Sequence, residues 1–568
     1  MRIWGNGRHT VTSLLAVFAL VGVFLFVSVA GYGLTEERKI RKLELLSMPA
    51  GEDLAEFRAT QLYANMLNQL GLNVEHHPLS WSVLGDYVWQ DRQSWDMTAW
   101  YMTARPERSD PHELLYNSFH SSTREGGYNF FGYKNPKVDE LLDQQIQETD
   151  RAERKKLVYE IEEILAEDVA IAPTVHRTGN YAYDKNIWAP ESIVNQAGMG
   201  LRNYWTFTGA EPLTDQTNML ANYAEDIRAI NPFDVSGVAD MWVIELIYDR
   251  LMRVGPDGLP KPGAAREVNW KDDTTLEVFL REDMKFHDGE PVTAEDVKFT
   301  YDAIRKSGEI PEYEPFAKPI EEIDIVNEHK LVFHLKQPNA AFLTTSLAKI
   351  SIVPQHIWEP VIEDFKEKPE DIALYQRENP IGSGPFEFVS WKRGAQVTLQ
   401  AVKSHHHSPQ IDKLVFQKIG NPEVALGQLK KGAINFLTDY RGNAGPLHKA
   451  LDESETLKGG TIITLGVRFF AFNMRRAPFD DKAFRKALAY ALPRKAIRDT
   501  VEHGYTETAD SIVSKALEYW HNPDLPDYQF NIAKAREILE EAGYEWDDQG
   551  NLYYPPEEEE ELELAWGP

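Results

Sequence analysis

The sequence predicts an α+β fold with mixed sheets, and three observations carry that prediction. Strict alternation marks short strands at residues 274–280 and 331–335. Capped helices with an apolar stripe stand between and around such strands. No strict repeat organises either kind of element. With 568 residues, the chain is long enough for roughly four domains or lobes of about 150 residues each.

Taken in order, residues 10–34 carry no charge, and 11–27 are mostly Val, Leu, Phe and Ala. Arg2 and Arg8 precede the run and Ser28, Val29 and Ala30 follow it, as in a secretory signal. The same stretch is long enough to span a bilayer. Uncleaved anchor and cleaved signal both export the remainder, and residues 36–42 then read as a charged stalk. Asp150 and Glu153 cap a helix carrying Leu157, Ile161, Ile164 and Leu165. Residues 208–217 are polar and turn-rich, hence a linker. Leu276, Val278 and Leu280 share one strand face, and Leu331, Phe333 and Leu335 another. The two strands should be antiparallel neighbours across the intervening helix, which Thr293 and Asp296 start. Asn531 starts a helix that Gly543 stops. Residues 553–561 are too acidic for a core, and 562–568 begin like a strand and end.

Composition narrows the function. Hydrophobic residues are 42 % and charged residues 26 %, as in an ordinary globular protein. Lys and Arg total 60 against 89 Asp and Glu, a net charge of -29 that repels phosphate backbones. With Cys 0, disulfides, thiol catalysis and cysteine-ligated zinc are excluded. No Gly-x-Ser-x-Gly elbow, phosphate loop or His-Glu-x-x-His helix is present. Ser346 and Lys349 form a lone Ser-x-x-Lys without its companion motifs. The run His405, His406, His407 points its side chains in different directions, and a solvated loop is favoured over a weak metal site. Asp480 and Asp481 after Pro478 read as a helix start. No cofactor and no metal is expected. With 14 Trp, 24 Tyr and 26 Phe, the chain has the aromatic supply for a cleft enclosing a small solute.

Five segments together resemble the large extracytoplasmic solute-binding proteins of peptide and nickel ABC transporters, family 5. They are 226–251, with Asn231-Pro232-Phe233, Ser236-Gly237 and Leu246 to Leu251; 280–301 (LREDMKFHDGEPVTAEDVKFTY); 381–386 (IGSGPF); Phe472-Asn473 with 478–481 and 485–488; and 533–544 (AKAREILEEAGY). The run 280–301 is the most specific. The order departs from the family: residues 41–207 look like its C-terminal third, and 215–568 like its beginning and middle. The chain thus looks circularly permuted, or like two complementary fragments fused.

The resemblance implies a two-lobed clamp that closes on solute and presents it to permease subunits, with no chemical transformation. The expected organisation is signal or anchor plus stalk at 1–40, a C-terminal-type segment at 41–207, linker 208–217, first lobe 218–464, and the rest of the second lobe at 465–568. A strand end is expected near Tyr204 to Phe207, and lobe crossings near 470–474 and 193–200. Peptide-binding relatives place an Asp shortly after the tryptophan matching Trp100. Here Thr103 stands there, which puts peptide-amine recognition in doubt. The candidate ligand contacts are Trp100, Arg105, Asp110, Trp242, Gly384, Tyr440 and Asn473. For four of them alternatives stay open: core for Trp100, a surface ion pair for Arg105, a structural loop carboxylate for Asp110 and turn hydrogen bonding for Asn473. Expected partners are a peptide or other small solute, the permease and, through the N-terminus, the membrane. A tethered sensor module and an inactive fusion of gene fragments are the competing readings.

Overall fold

The computed structural model describes residues 34–556 apart from 235–237, 308–312, 366–367, 369–370, 373–374 and 376. The expected signal or anchor, Ser236-Gly237 and the end 562–568 lie outside the described residues. Among the described residues no helix is long and apolar enough to cross a membrane.

The fold is a two-lobed α+β clamp threaded by one ten-stranded mixed sheet. Across this sheet the strands run Phe386–Lys392, Gln396–Ala401, Lys413–Lys418, Asn218–Tyr223, Phe436–Leu437, Ala172–Asp184, Leu457–Phe472, Met97–Tyr101, Leu43–Ser47 and Val74–Pro78. A separate antiparallel sheet joins Ile320–Asn327, Lys330–Leu335, Thr275–Leu280 and Ala265–Trp270 in that order. The two alternating strands are antiparallel neighbours, as their apolar faces require, with Leu331 opposite Val278 and Phe333 opposite Leu276. Their helix, Ala294–Ser307, starts where Asp296 accepts hydrogen bonds from both the amide and the hydroxyl of Thr293, each at 2.9 Å. Asp150 caps Arg151–Asp168, Asp481 caps Lys482–Tyr490 and Asn531 caps Ile532–Glu541. Gly543 takes a φ of 89°, the left-handed stop expected of it.

Two long strands, Ala172–Asp184 and Leu457–Phe472, run through both lobes. The first-lobe end of Ala172–Asp184 borders Phe436–Leu437, and the second-lobe end of Leu457–Phe472 borders Met97–Tyr101. The ladder between them breaks between Ile463 and Val467, opposite Thr178 and His176.

One core gathers residues from Tyr181 to Phe436 on the first lobe. Two others cover the faces of the second-lobe sheet, and each mixes residues below 176 with residues above 464. Tyr63 donates to the Leu488 carbonyl at 2.9 Å and Tyr528 to that of Ala166 at 2.9 Å. The buried Arg38 guanidinium holds the Tyr554 carbonyl at 2.7 Å and Glu545 at 2.8 Å. The stalk thus packs beside the hairpin Glu545–Trp546 and Leu552–Tyr553.

Two sequence expectations need correction. Tyr204–Gly209 is a helix and not a strand end, because Asn203 accepts from the Thr206 amide at 2.9 Å while donating to Val194 and Gly200 carbonyls. The histidine run is not a solvated loop: the His405 side chain is 4 % exposed and packs on Asp249.

Candidate solute-binding cleft

The ladder break places a set of side chains at the seam between lobes. Met97–Tyr101, an interior strand of the second lobe, ends in Trp100 and Tyr101. The helix Trp81–Gly85 brings Trp81 over them, its ring centroid 5.1 Å from Trp100 and 6.3 Å from Tyr101. Trp81 is 48 % exposed, whereas Trp100 is 7 % exposed, backed by Phe130 at 5.1 Å and Trp89 at 6.0 Å. The result is an aromatic wall with Trp81 as its open face.

Arg177 projects from the crossing strand against the other part of this wall. Its guanidinium lies 4.2 Å from the Tyr101 centroid. Among the described residues it makes no hydrogen bond or ion pair. Burial first and then the adjacent Arg468 disfavour its charge, Tyr101 and Asp53 oppose them, and Arg441 of the first lobe adds repulsion. The other two arginines are compensated: Arg468 by Asp53 at 2.8 Å and Glu502 at 3.4 Å, Arg441 by Asp439 at 3.0 Å and by Glu225. Gly466 makes room beside Arg177, since a Cβ there would stand 2.8 Å from the Met102 carbonyl and 3.0 Å from the Arg177 Cβ.

On the first lobe, Trp242 is buried beneath the Arg202 guanidinium, which donates to the Thr438 carbonyl at 2.9 Å and pairs with Asp439 at 3.6 Å. Tyr440 is buried and donates to the Asn443 carbonyl at 3.1 Å. Across the seam Glu107 meets Lys349 at 2.8 Å, each side chain 3 % exposed. Arg105, 29 % exposed, stands 4.0 Å from the same carboxylate. Burial raises the Glu107 pKa, but Lys349, with Arg105 behind it, overrides burial and lowers it to about 2.

The remaining candidates hold the frame. Asp110 takes a two-pronged contact from Arg154 at 2.6 and 2.8 Å and caps Pro111–Phe119 through the His112 amide. Asn473 donates to the carbonyls of Trp95 at 2.9 Å and Arg92 at 3.1 Å. Gly384 packs so closely that a Cβ would lie 2.4 Å from the Leu246 carbonyl. Thr103 accepts from Arg108, at its carbonyl and its hydroxyl. Trp100 thus belongs to the aromatic wall, Arg105 stands by the Glu107 carboxylate, and Trp242 and Tyr440 are buried on the first lobe, while Asp110, Asn473 and Gly384 are engaged by neighbouring protein groups. Sequence reasoning missed Trp81, Tyr101 and Arg177. The signal for Arg177 was a charge two residues after the mostly apolar run 169–175.

Among the described residues, donor atoms of Asp249, His405 and His406 lie within 4.8 Å of one another. Asp249 is already held by His405 at 3.0 Å and Arg253 at 3.1 Å. The His407 amide donates to Nδ1 of His405, so the Nε2 proton faces Asp249. Asp249 and His405 are thus engaged with protein partners, while both ring nitrogens of His406 are buried without a hydrogen-bond partner among the described residues.

Three comparisons with known proteins bear on this site. The model of bacterial extracellular solute-binding proteins, family 5 Middle, matches residues 260–565. The oligopeptide-binding protein AppA of Bacillus subtilis (strain 168) is 31 % identical over 277 residues, 47 % of this chain and 48 % of that protein. The dipeptide-binding protein of Escherichia coli (strain K12) is 27 % identical over 321 residues, covering 53 % and 58 %. The chain spans about half the length of the curated relatives it matches. A solved structure of Bacillus subtilis AppA with a nonapeptide aligns at 25 % identity and a TM-score of 0.46, covering 59 % of this chain and 66 % of that one. Since the family match takes in more than half of its residues, this chain belongs to the bacterial extracellular solute-binding proteins, family 5.

Proposed function

We propose that the protein is the extracytoplasmic solute-capturing component of an ABC importer. It encloses an oligopeptide or a similar small organic solute between its lobes and delivers it to permease subunits. The observation that carries the reading is the seam itself: an open aromatic wall beside a break in the two strands that join the lobes. A wall without an adjoining hinge would serve a static surface, whereas a clamp needs both. Family membership supports the same reading. Calorimetry against peptide, sugar and Ni²⁺ sets tests it: folded protein giving heat with one class supports it, and no heat with any refutes it.

The domain assignment follows as part of this proposal. Residues 41–207 and 465–568 form most of one lobe and 218–464 the other, with covalent order rotated relative to the family. Support comes from the second-lobe cores, which draw on both ends of the chain, and from the stitch of Arg38 to Tyr554. Rotation is tolerated when natural ends are neighbours and the cut is exposed. The segment 1–33 supplies export, as a cleaved signal or an anchor.

A further inference from the structure

We infer that Arg177 is a carboxylate-binding residue, so that the solute carries a free acid group beside an apolar or ring portion. The inference rests on the clamp reading above and deepens it.

Three independent observations lead there. The first is charge bookkeeping at the seam. Three arginines approach one another, and the neighbours of Arg468 and Arg441 neutralise both. The Arg177 guanidinium alone of the three makes no hydrogen bond or ion pair among the described residues. The residue is half-buried yet none of its guanidinium nitrogens is a buried unpaired atom, so solvent reaches the group and a ligand anion can replace that water and supply the missing counter-charge. The second is geometry. The Arg177 guanidinium rests over Tyr101 at 4.2 Å, and a planar fork carried on a ring can offer a carboxylate two parallel N–H···O bonds. On the same aromatic wall, the exposed Trp81 offers a stacking surface for the part of the solute next to its acid. The third is position. Arg177 stands where the ladder is broken and feels Arg468 of one lobe and Arg441 of the other. A carboxylate there would be shared by both lobes and would favour their approach.

The chemistry fits two sources, the C-terminus of a short peptide and the acid of a sugar acid. Folded protein is incubated with a tetrapeptide library and its C-terminally amidated twin, and separately with gluconate and galacturonate against glucose and galactose. Retained molecules are identified by mass spectrometry after gel filtration, and affinities follow by calorimetry. The acid members are expected to bind about 10- to 150-fold more tightly than their neutral twins. Arg177→Met should abolish that preference, and Arg177→Lys should restore part of it. Which acid set is retained distinguishes peptide from sugar. Equal retention of acids and neutral twins overturns the carboxylate assignment and leaves the clamp reading standing. Retention of neither overturns both.

A ligand-free readout separates a binding role from a structural one. Removing an uncompensated cation next to Arg468 should leave the melting midpoint of Arg177→Met unchanged or raise it by about 1–2 °C. A fall of several degrees would make Arg177 a structural residue and overturn the inference.

Discussion

The buried pair of Glu107 and Lys349 joins the lobes, and its worth follows from the structure. Both side chains are 3 % exposed, so solvent screens the pair little. The Glu107 carboxyl is lowered from 4.5 to about 2 despite burial, which corresponds to about 3 kcal/mol of preference for the charged form. Arg105 supplies part of this from 4.0 Å, leaving on the order of 2 kcal/mol to Lys349. Lys349→Met strands a buried carboxylate and should cost about 3–5 kcal/mol. Glu107→Gln removes the carboxylate from beside the ammonium. The double variant should cost less than the sum of the singles by about 2 kcal/mol, a coupling read from urea unfolding at pH 7. The folded pKa lies below the unfolded one, so the bridge contributes fully above about pH 4.5 and loses its contribution as pH falls toward 2. The gap between wild type and Lys349→Met should therefore narrow from pH 7 to pH 3. A coupling under about 0.5 kcal/mol, or a gap independent of pH, would refute the reasoning.

Other expectations concern different parts of the molecule. Trp81→Ala should weaken solute binding with little change in melting, because the ring is half open to solvent, whereas Trp100→Ala should lose about 3–5 kcal/mol of stability from the aromatic cluster behind it. Calorimetry and thermal melts together reverse this assignment if Trp81→Ala unfolds the protein and Trp100→Ala does not. Burial raises the Glu162 carboxyl to about 8, against the Ser511 and Asn522 hydrogen bonds. Its folded pKa is above the unfolded value, so its contribution is complete below about pH 4.5 and lost as pH rises through 8. Stability of wild type relative to Glu162→Gln should thus decline across that window by on the order of a few kcal/mol, and a flat difference would contradict it. Burial, with Lys515 second, lowers His176 to about 4. Stability contributed by its neutral form should be lost as pH falls from about 6.5 to about 4, which His176→Gln should lessen in acid melts. A gene that places residues 38–207 after residue 556 should yield the same circular dichroism and the same solute binding, and failure to fold would refute the rotated order.

Local rules made much of the fold legible. Alternation identified the strands around Leu276 and Phe333, because one face of each is buried and the other is not. Caps identified the helices after Asp150, Thr293 and Asn531, because Asp150 and Asn531 accept from amides that the helix leaves open and Asp296 reaches back to the Thr293 amide. The helix at Tyr204 was misread, since its cap, Asn203, is also a common turn residue. The site was less legible. Trp100 announced itself by composition, but its burial depends on Trp89 and Phe130, which local periodicity does not bring together. Arg177 acquires meaning from Tyr101, Arg468 and Arg441, all distant in sequence and all brought near by strand pairing. Asp110 and Asn473 looked available in a linear reading. Only the folded chain shows that Arg154 and the carbonyls near Trp95 already occupy them.

The gap in the ribbon between Ile463 and Val467 has a mechanical meaning. A two-stranded ribbon resists bending across its rungs and yields more readily in torsion about its long axis. With rungs missing where the lobes meet, twist concentrates there without rupturing the ladder on either side. Within this gap the Thr464 hydroxyl donates to the Arg177 carbonyl at 2.9 Å, a side-chain tie where the backbone rungs are missing. The arginine is thus bolted to the shaft that turns. On the proposed clamp reading, a rotation about this ribbon would also swing the guanidinium relative to Tyr101, gearing access and grip to one coordinate.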